Sequence, residues 1–169
     1  MTRLTLQGTP VYTEGHLPAV GHEAPKFILT GKNLDDFGLE QFGMQRKLLN
    51  IVPSLEMPSC AASLRRFNDH ARQRPGVVVL SISHDLPFSS QSRIDASQLD
   101  RVVALSTFRS PHFARAYGVD IVSGPLKGLT ARAVLVLDGH NRVLHGQLVR
   151  EITDEPDYAA AVAALEKAC

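Results

Sequence analysis

The sequence predicts an α/β fold with a mixed central sheet. Apolar runs typical of buried strands alternate with helical patterns through most of the chain, and a strand pair with a tight turn comes late. At 169 residues, with 44% hydrophobic and 21% charged residues, the chain can bury a sizeable core and has an ordinary globular composition. We therefore expect one domain over residues 1–169.

The first half of the chain opens with a predicted β-hairpin. Apolar and polar residues alternate before Gly8-Thr9-Pro10, and the chain then resumes with Val11-Tyr12. A loop rich in Pro, Gly and His follows over residues 15–25. Two short strands, a helix and a central strand buried on both faces are then predicted at residues 27–29, 47–52, 59–73 and 76–83.

The second half begins with a Ser-rich segment, residues 85–92, that the pattern assigns to a loop or a short helix. Pro111 fits the first turn of a helix. Two apolar runs flank Asp138-Gly139-His140-Asn141, which is typical of antiparallel strands joined by a tight turn. The remaining predicted elements are strands at 102–106, 133–137 and 143–149 and an Ala-rich helix at about 157–167.

Charge and composition exclude several classes of protein. A formal net charge of +1 offers no electrostatic reason to expect nucleic acid or an anionic membrane as a partner. The N-terminus lacks the apolar run of a signal peptide, and no segment approaches the roughly 18 apolar residues of a transmembrane helix. Two cysteines form neither a disulfide scaffold nor a zinc cluster, and the histidines lack metal-ligand spacing. We expect a cytoplasmic protein without metal or cofactor.

Cys60 is the first candidate functional residue. It follows a predicted strand and a short Pro-containing loop, and the apolar residues Leu64, Phe67 and Ala71 after it recur at helical spacing. A helix start favours an anion, so a thiol there is expected to be more acidic and more nucleophilic. The alternative is a structural cysteine packed as a small hydrophobe. A hydrolytic arrangement with His84 and Asp85 is disfavoured, because sequence neighbours are badly placed to orient one another.

Ordered sequence blocks extend almost from end to end of the chain. They are Leu49-Asn50-Ile51, Pro53-Ser54, Cys60-Ala61-Ala62-Ser63, Arg66-Phe67-Asn68, Asp85-Leu86-Pro87-Phe88, Leu105-Ser106-Thr107-Phe108-Arg109, Ala116-Tyr117-Gly118-Val119, Gly124-Pro125-Leu126-Lys127-Gly128-Leu129, Ala131-Arg132-Ala133 and Glu151-Ile152-Thr153. In these blocks the chain resembles the bacterial thiol peroxidases, the atypical two-cysteine subfamily of the peroxiredoxins. The resemblance implies a thioredoxin-like fold with an N-terminal β-hairpin.

The resemblance also implies a chemistry and a set of site residues. Cys60 would be the peroxidatic cysteine, which attacks the O–O bond of hydrogen peroxide or an alkyl hydroperoxide and becomes a sulfenic acid. Pro53 would shield the thiol. Arg132 would stand beside the sulfur and stabilise both the thiolate and the charge that develops on the peroxide oxygen. The family commonly forms homodimers, and residues 116–119 fall in a region used for such contacts.

Two departures from the family pattern concern the same site. Met57 stands where the family has a Thr or Ser hydroxyl that orients the peroxide, and a thioether is only a weak acceptor. Ser59 is a neighbour that could take over the role, although adjacent helical residues face different ways. Asp95 stands where relatives carry the resolving cysteine, after an apparent one-residue insertion. Cys169, the only other thiol, is either a resolving residue or an inert terminal one.

Three functions follow from these observations. The first is a thiol peroxidase in which an external reductant, such as thioredoxin or a low-molecular-weight thiol like glutathione, reduces the sulfenic acid at Cys60. The second, motivated by Met57 and Asp95, is a weakened redox sensor or binding protein on the same scaffold. The third is a structural subunit of a dimer, which would not require Arg132 beside a helix-start thiol.

Overall fold

A computed structural model describes residues 1–167 of the chain. This part contains ten strands and four α-helices. The strands are β1 (Thr2–Leu6), β2 (Thr9–Glu14), β3 (Leu29–Thr30), β4 (Asp36–Phe37), β5 (Arg46–Ile51), β6 (Val77–Ser83), β7 (Val102–Ser106), β8 (Asp120–Ile121), β9 (Ala133–Leu137) and β10 (Val143–Leu148). The helices are α1 (Pro58–Arg72), α2 (Pro87–Ala96), α3 (His112–Ala116) and α4 (Tyr158–Glu166).

The central sheet is mixed, as the sequence predicts. Its strand order is β10-β9-β5-β6-β7-β3-β4. The neighbours β5, β6 and β7 run parallel, whereas β9 is antiparallel to β5 and β3 is antiparallel to β7. The predicted N-terminal hairpin is confirmed as well, because β1 and β2 pair antiparallel in a separate sheet that β8 completes.

Both faces of the central sheet are buried. All seven residues of β6 are buried, which fits a parallel strand covered on both faces. Successive strand residues point to opposite faces, so Leu49 belongs to one core cluster and Leu48 to the other. The second cluster also contains apolar residues of α1 and α4, and Cys60 belongs to it.

The topology gathers the candidate site at one edge of this sheet. The carboxyl ends of the parallel strands β5 and β6 lie side by side, so the loop after β5 and the loop after β6 are neighbours. Strand β9 runs the other way, and its first residue, Ala133, pairs with Ile51 at the end of β5. Arg132 is therefore delivered to the edge where the loop to α1 begins.

Two helices differ in detail from the sequence prediction. The Ser-rich segment 85–92 contains the start of a regular helix, α2, with Pro87 in the first turn and a buried stripe of Pro87, Ser90 and Ile94. Burial of this stripe stabilises the helix, which the low helix propensity of serine does not predict. Pro111 is the N-cap residue of α3 and so precedes its first turn. Within residues 1–167, no helix is long and apolar enough to cross a membrane.

Candidate active site

Cys60 lies in the first turn of α1, at the end of the loop that leaves β5. Pro58 occupies the first turn, where a missing N–H is tolerated, and Met57 is the N-cap residue. The backbone N–H groups of Cys60 and Ala61 both donate to the carbonyl oxygen of Met57, at 3.0 and 3.2 Å. Cys60 has no exposed surface (0%). The candidate nucleophile is therefore a free thiol that is a buried member of the second core cluster.

The loop before Cys60 is fastened to the sheet at its first residue. The N–H of Val52 donates to the carbonyl oxygen of Ile82 at 3.0 Å, which extends the pairing of β5 with β6. The Thr130 hydroxyl donates to the carbonyl oxygen of Val52 at 2.7 Å. Pro53 follows and is buried. It lies at the start of the loop as expected, and its shielding role stays a prediction.

Arg132 is buried beside the start of α1. Only 1% of its surface is exposed. One terminal nitrogen donates to the carbonyl oxygen of Ser59 at 2.9 Å, and the other donates to the carbonyl oxygen of Asp154. The third guanidinium nitrogen, Nε, is buried without a hydrogen-bond partner in the part of the chain that the structure describes. The structure thus brings Arg132 and Cys60 together, and their charge interaction lowers the pKa of the thiol.

The pKa of the Cys60 thiol is nevertheless raised, chiefly because burial removes the thiolate from water. The positive charge of Arg132 is the largest opposing effect, followed by hydrogen bonds from the Ser59 side chain and the Ser54 backbone; the negative charge of Asp85 raises the pKa further. This result differs from the sequence-based expectation of an acidic thiol. The reason is that the same helix start that favours an anion also buries the sulfur in the core.

Met57 and Ser59 are the two residues of this segment that the sequence connects with the missing hydroxyl. The Met57 side chain is half-buried and packs against both core clusters. Ser59 forms a side-chain hydrogen bond with Cys60. The expectation that adjacent helical residues face different ways stays a prediction at this position.

Asp85 is a feature of the site to which the sequence analysis gave no role beyond a disfavoured hydrolytic arrangement. Its carboxylate accepts from the Ser54 hydroxyl and from the Leu55 N–H, both at 2.8 Å. His84 is exposed, and its Nδ1 lies 3.0 Å from the Thr107 hydroxyl. The two side chains are thus engaged in different directions and form no hydrolytic arrangement with Cys60. The signal that could have revealed Asp85 is its place after β6, the parallel neighbour of β5.

Of the two positions that the family pattern connects with recycling, one is exposed on α2 and the other lies outside the described residues. Asp95 is exposed on α2, where its carboxylate accepts from Gln91 Nε2 at 2.7 Å. Arg93 of the same helix forms a two-point ion pair with Glu56, with Nε 3.1 Å from Oε1. Helix α2 is thereby tied to the loop that precedes Cys60. Cys169 lies outside residues 1–167, so its proposed resolving role stays a prediction.

Comparisons with known proteins match this geometry to a family. Residues 19–162 match the Redoxin family model. The chain is 44% identical over 165 residues to a thiol peroxidase of Mycobacterium bovis, which covers 98% of this chain and 99% of that protein. The chain belongs to the redoxin family.

Solved structures agree with this assignment. A peroxiredoxin-like protein from Aquifex aeolicus is 33% identical, with a TM-score of 0.90 and coverage of 98% of this chain and 96% of that one. A thiol peroxidase from Chromobacterium violaceum is 25% identical, with a TM-score of 0.90 and coverage of 97% and 95%. The predictions of a thioredoxin-like peroxiredoxin fold and of a thiol peroxidase are confirmed.

Proposed function

We propose that Cys60 is the nucleophile of this thiol peroxidase and that it attacks the O–O bond of hydrogen peroxide or an alkyl hydroperoxide. The thiolate sulfur bonds to one oxygen as the O–O bond breaks, and the other oxygen takes a proton and leaves as water or an alcohol. The sulfur loses two electrons and becomes a sulfenic acid. The observation that carries this proposal is the buried guanidinium of Arg132 beside a buried, free thiol.

Arg132 supplies the electrostatic part of the reaction. A guanidinium is a permanent cation in proteins, and the two carbonyl contacts of Arg132 hold it in place without neutralising it. The buried Nε–H has no partner within residues 1–167, and an unsatisfied buried donor costs free energy until it finds an acceptor. A thiolate, or the peroxide oxygen on which negative charge develops as the O–O bond breaks, is an acceptor of the required charge. Pro53, buried at the start of the loop, limits the access of water to the sulfur.

The sulfenic acid is reduced by an external thiol. This part of the proposal rests on Asp95, a carboxylate that cannot form a disulfide, at the position of the family's resolving cysteine. Because Cys60 has no exposed surface, peroxide and reductant both need the loop over residues 53–57 to open, and a thioredoxin-sized partner needs the wider opening. A low-molecular-weight thiol needs a smaller one. Both reductants belong to a reducing compartment, which fits the expected cytoplasmic location. That location stays a prediction.

We further propose that the chain forms a homodimer through the surface beside α3. A cavity of about 520 Å³ opens there between Phe27, Ile28, Phe113 and Ala116. Ile28 is 64% exposed, which is unusual for a large aliphatic side chain. Of residues 116–119, only Ala116 reaches the surface, since the other three are buried. Light scattering should give twice the chain mass for the wild type and the monomer mass for Ile28→Asp.

The activity itself is tested by rapid mixing of the reduced protein with hydrogen peroxide or an alkyl hydroperoxide. We expect loss of the Cys60 thiol, formation of a sulfenic acid and repeated turnover with thioredoxin or glutathione. Cys60→Ser should abolish the oxidation, and Cys169→Ser should leave the first oxidation unchanged. Oxidation without turnover by either reductant would favour the redox sensor, and an unmodified Cys60 would contradict both functions.

A further inference from the structure

The side chain of Asp85 connects the middle of the loop that carries the nucleophile to the sheet. The two carboxylate oxygens bind two consecutive residues of the loop: Oδ1 accepts from the Ser54 hydroxyl and Oδ2 accepts from the Leu55 N–H, both at 2.8 Å. The Ser54 oxygen also accepts from the Glu56 N–H at 3.1 Å. Three successive loop residues are therefore held by Asp85, directly or through one hydroxyl.

Asp85 is itself anchored to two strands of the central sheet. The Ser83 hydroxyl donates to Asp85 Oδ2 at 3.1 Å and accepts from the Asp85 N–H at 3.2 Å. The Ser106 hydroxyl donates to the Asp85 carbonyl oxygen at 2.5 Å. Ser83 and Ser106 are both buried at the ends of β6 and β7. The position of the carboxylate is thus set by the sheet, and the loop takes its position from the carboxylate.

The loop in turn acts on the reacting atom, because hydrogen bonding by the Ser54 backbone lowers the pKa of the Cys60 thiol. We propose that Asp85 is a positioning residue for the reaction of Cys60, holding Ser54 and Leu55 in place in the loop that leads to the thiol. This inference rests on the proposed role of Cys60 as nucleophile. A donor fixed before the reaction stabilises the thiolate without the cost of reorganisation at the moment of attack.

Asp85 has two opposite effects on the thiol, and this makes the inference testable. Its negative charge raises the pKa of Cys60, whereas the Ser54 backbone contact that it holds lowers it. The charge of Arg132 acts on the same sulfur and is left unchanged by substitutions at Asp85. If charge were the only role of Asp85, any neutral residue there would lower the thiol pKa and leave the peroxide reaction equal or faster.

Two substitutions separate the negative charge of Asp85 from its hydrogen bonds to Ser54 and Leu55. Asp85→Asn removes the charge but keeps an oxygen for the Leu55 N–H and an amide that can donate to the Ser54 hydroxyl. Asp85→Ala removes both. We expect the thiol pKa to be lower in Asp85→Asn than in Asp85→Ala, and Asp85→Asn to react with iodoacetamide about 10-fold faster near neutral pH. The same order is expected for hydrogen peroxide.

The measurements are the pH dependence of thiolate absorbance, the iodoacetamide rate and the peroxide rate, each on folded protein checked by thermal unfolding. Ser54→Ala, which keeps the carboxylate and removes one of its two loop contacts, should fall between wild type and Asp85→Ala in peroxide rate. If Asp85→Ala does not fold, the comparison of Ser54→Ala with the wild type still tests the inference. Asp138→Ala is the matched control, because Asp138 accepts from the backbone N–H groups of His140 and Arg142 at the opposite edge of the sheet.

Equal thiol pKa values and equal rates in Asp85→Asn and Asp85→Ala would overturn the inference, as would a Ser54→Ala variant as fast as wild type. Failure of the proposed function looks different. In that case wild-type Cys60 does not react with peroxide, while the iodoacetamide rates and thiol pKa values still report whether Asp85 positions the loop.

Discussion

Met57→Thr tests whether the absent hydroxyl limits the peroxidase reaction. Met57 is the N-cap residue of α1, with an extended backbone (φ −76°, ψ 126°) that threonine adopts without strain. Threonine is a favoured N-cap residue and methionine forms no side-chain cap there, so capping contributes about 1 kcal/mol. That gain offsets part of the packing lost when the half-buried methionine is shortened. The variant should therefore fold.

The expected gain in rate follows from the geometry of the site. Position 57 is three residues before Cys60, and the Met57 side chain packs against the core cluster that contains Cys60. In a site without free water, one positioned donor contributes about 2.7–4 kcal/mol to transition-state stabilisation, which is about 100- to 1000-fold in rate. Ser59 already provides a hydroxyl to Cys60, so we expect the lower end, about 100-fold.

The assay is the second-order rate of Cys60 oxidation by hydrogen peroxide, followed as loss of titratable thiol in a Cys169→Ser background. Met57→Val is the matched control, because valine has the shape of threonine without the hydroxyl. The difference between the Thr and Val variants isolates the hydroxyl from the change in packing. Equal rates in these two variants would show that the loop performs the reaction without a donor at this position, and the reasoning above would be refuted.

Two further predictions concern charge. Arg132→Met should raise the Cys60 thiol pKa further and slow iodoacetamide alkylation near neutral pH by about 10-fold for each unit of the rise, whereas Arg132→Lys, which keeps the charge, should retain part of the rate. An alkylation rate unchanged in Arg132→Met would contradict the assigned charge interaction. Hydrogen bonds, chiefly from the Thr5 hydroxyl, lower the pKa of Glu151 to about 2, so its contribution to stability is present above its ordinary pKa of 4.5 and is lost as the pH falls through about 2. Urea unfolding should show Glu151→Gln less stable than wild type near neutral pH, with the difference shrinking on acidification; a constant difference would contradict this assignment.

The strand, loop and helix around Cys60 could be predicted because each carries a local signal. An apolar run, a proline and apolar residues at helical spacing are all visible within about 25 residues of sequence. The neighbours of the thiol could not be predicted in this way. Arg132 reaches Cys60 only through the antiparallel pairing of β9 with β5, and without the family resemblance it would pass as a charge beside an apolar strand.

Asp85 and the thiol pKa show a second limit of sequence reasoning. The hydrogen bonds of Asp85 to the loop form because β6 lies next to β5. A single sequence does not state the strand order. The direction of the Cys60 pKa depends on how completely the helix start is buried, and helical periodicity says nothing about that. The one-domain organisation and the roles of Pro53 and Cys169 stay predictions.

The antiparallel pairing of β9 with β5 also sets an order of events during protein synthesis. Cys60 leaves the ribosome long before Arg132, and the carbonyl group of Asp154 that holds Arg132 is made later still. Until those last segments emerge and β9 joins the sheet, the nascent chain carries Cys60 as an ordinary solvent-accessible thiol with no cation beside it. The unfinished chain therefore differs in its thiol chemistry from the folded enzyme, and alkylation of ribosome-bound chains of increasing length would register the moment at which the site closes.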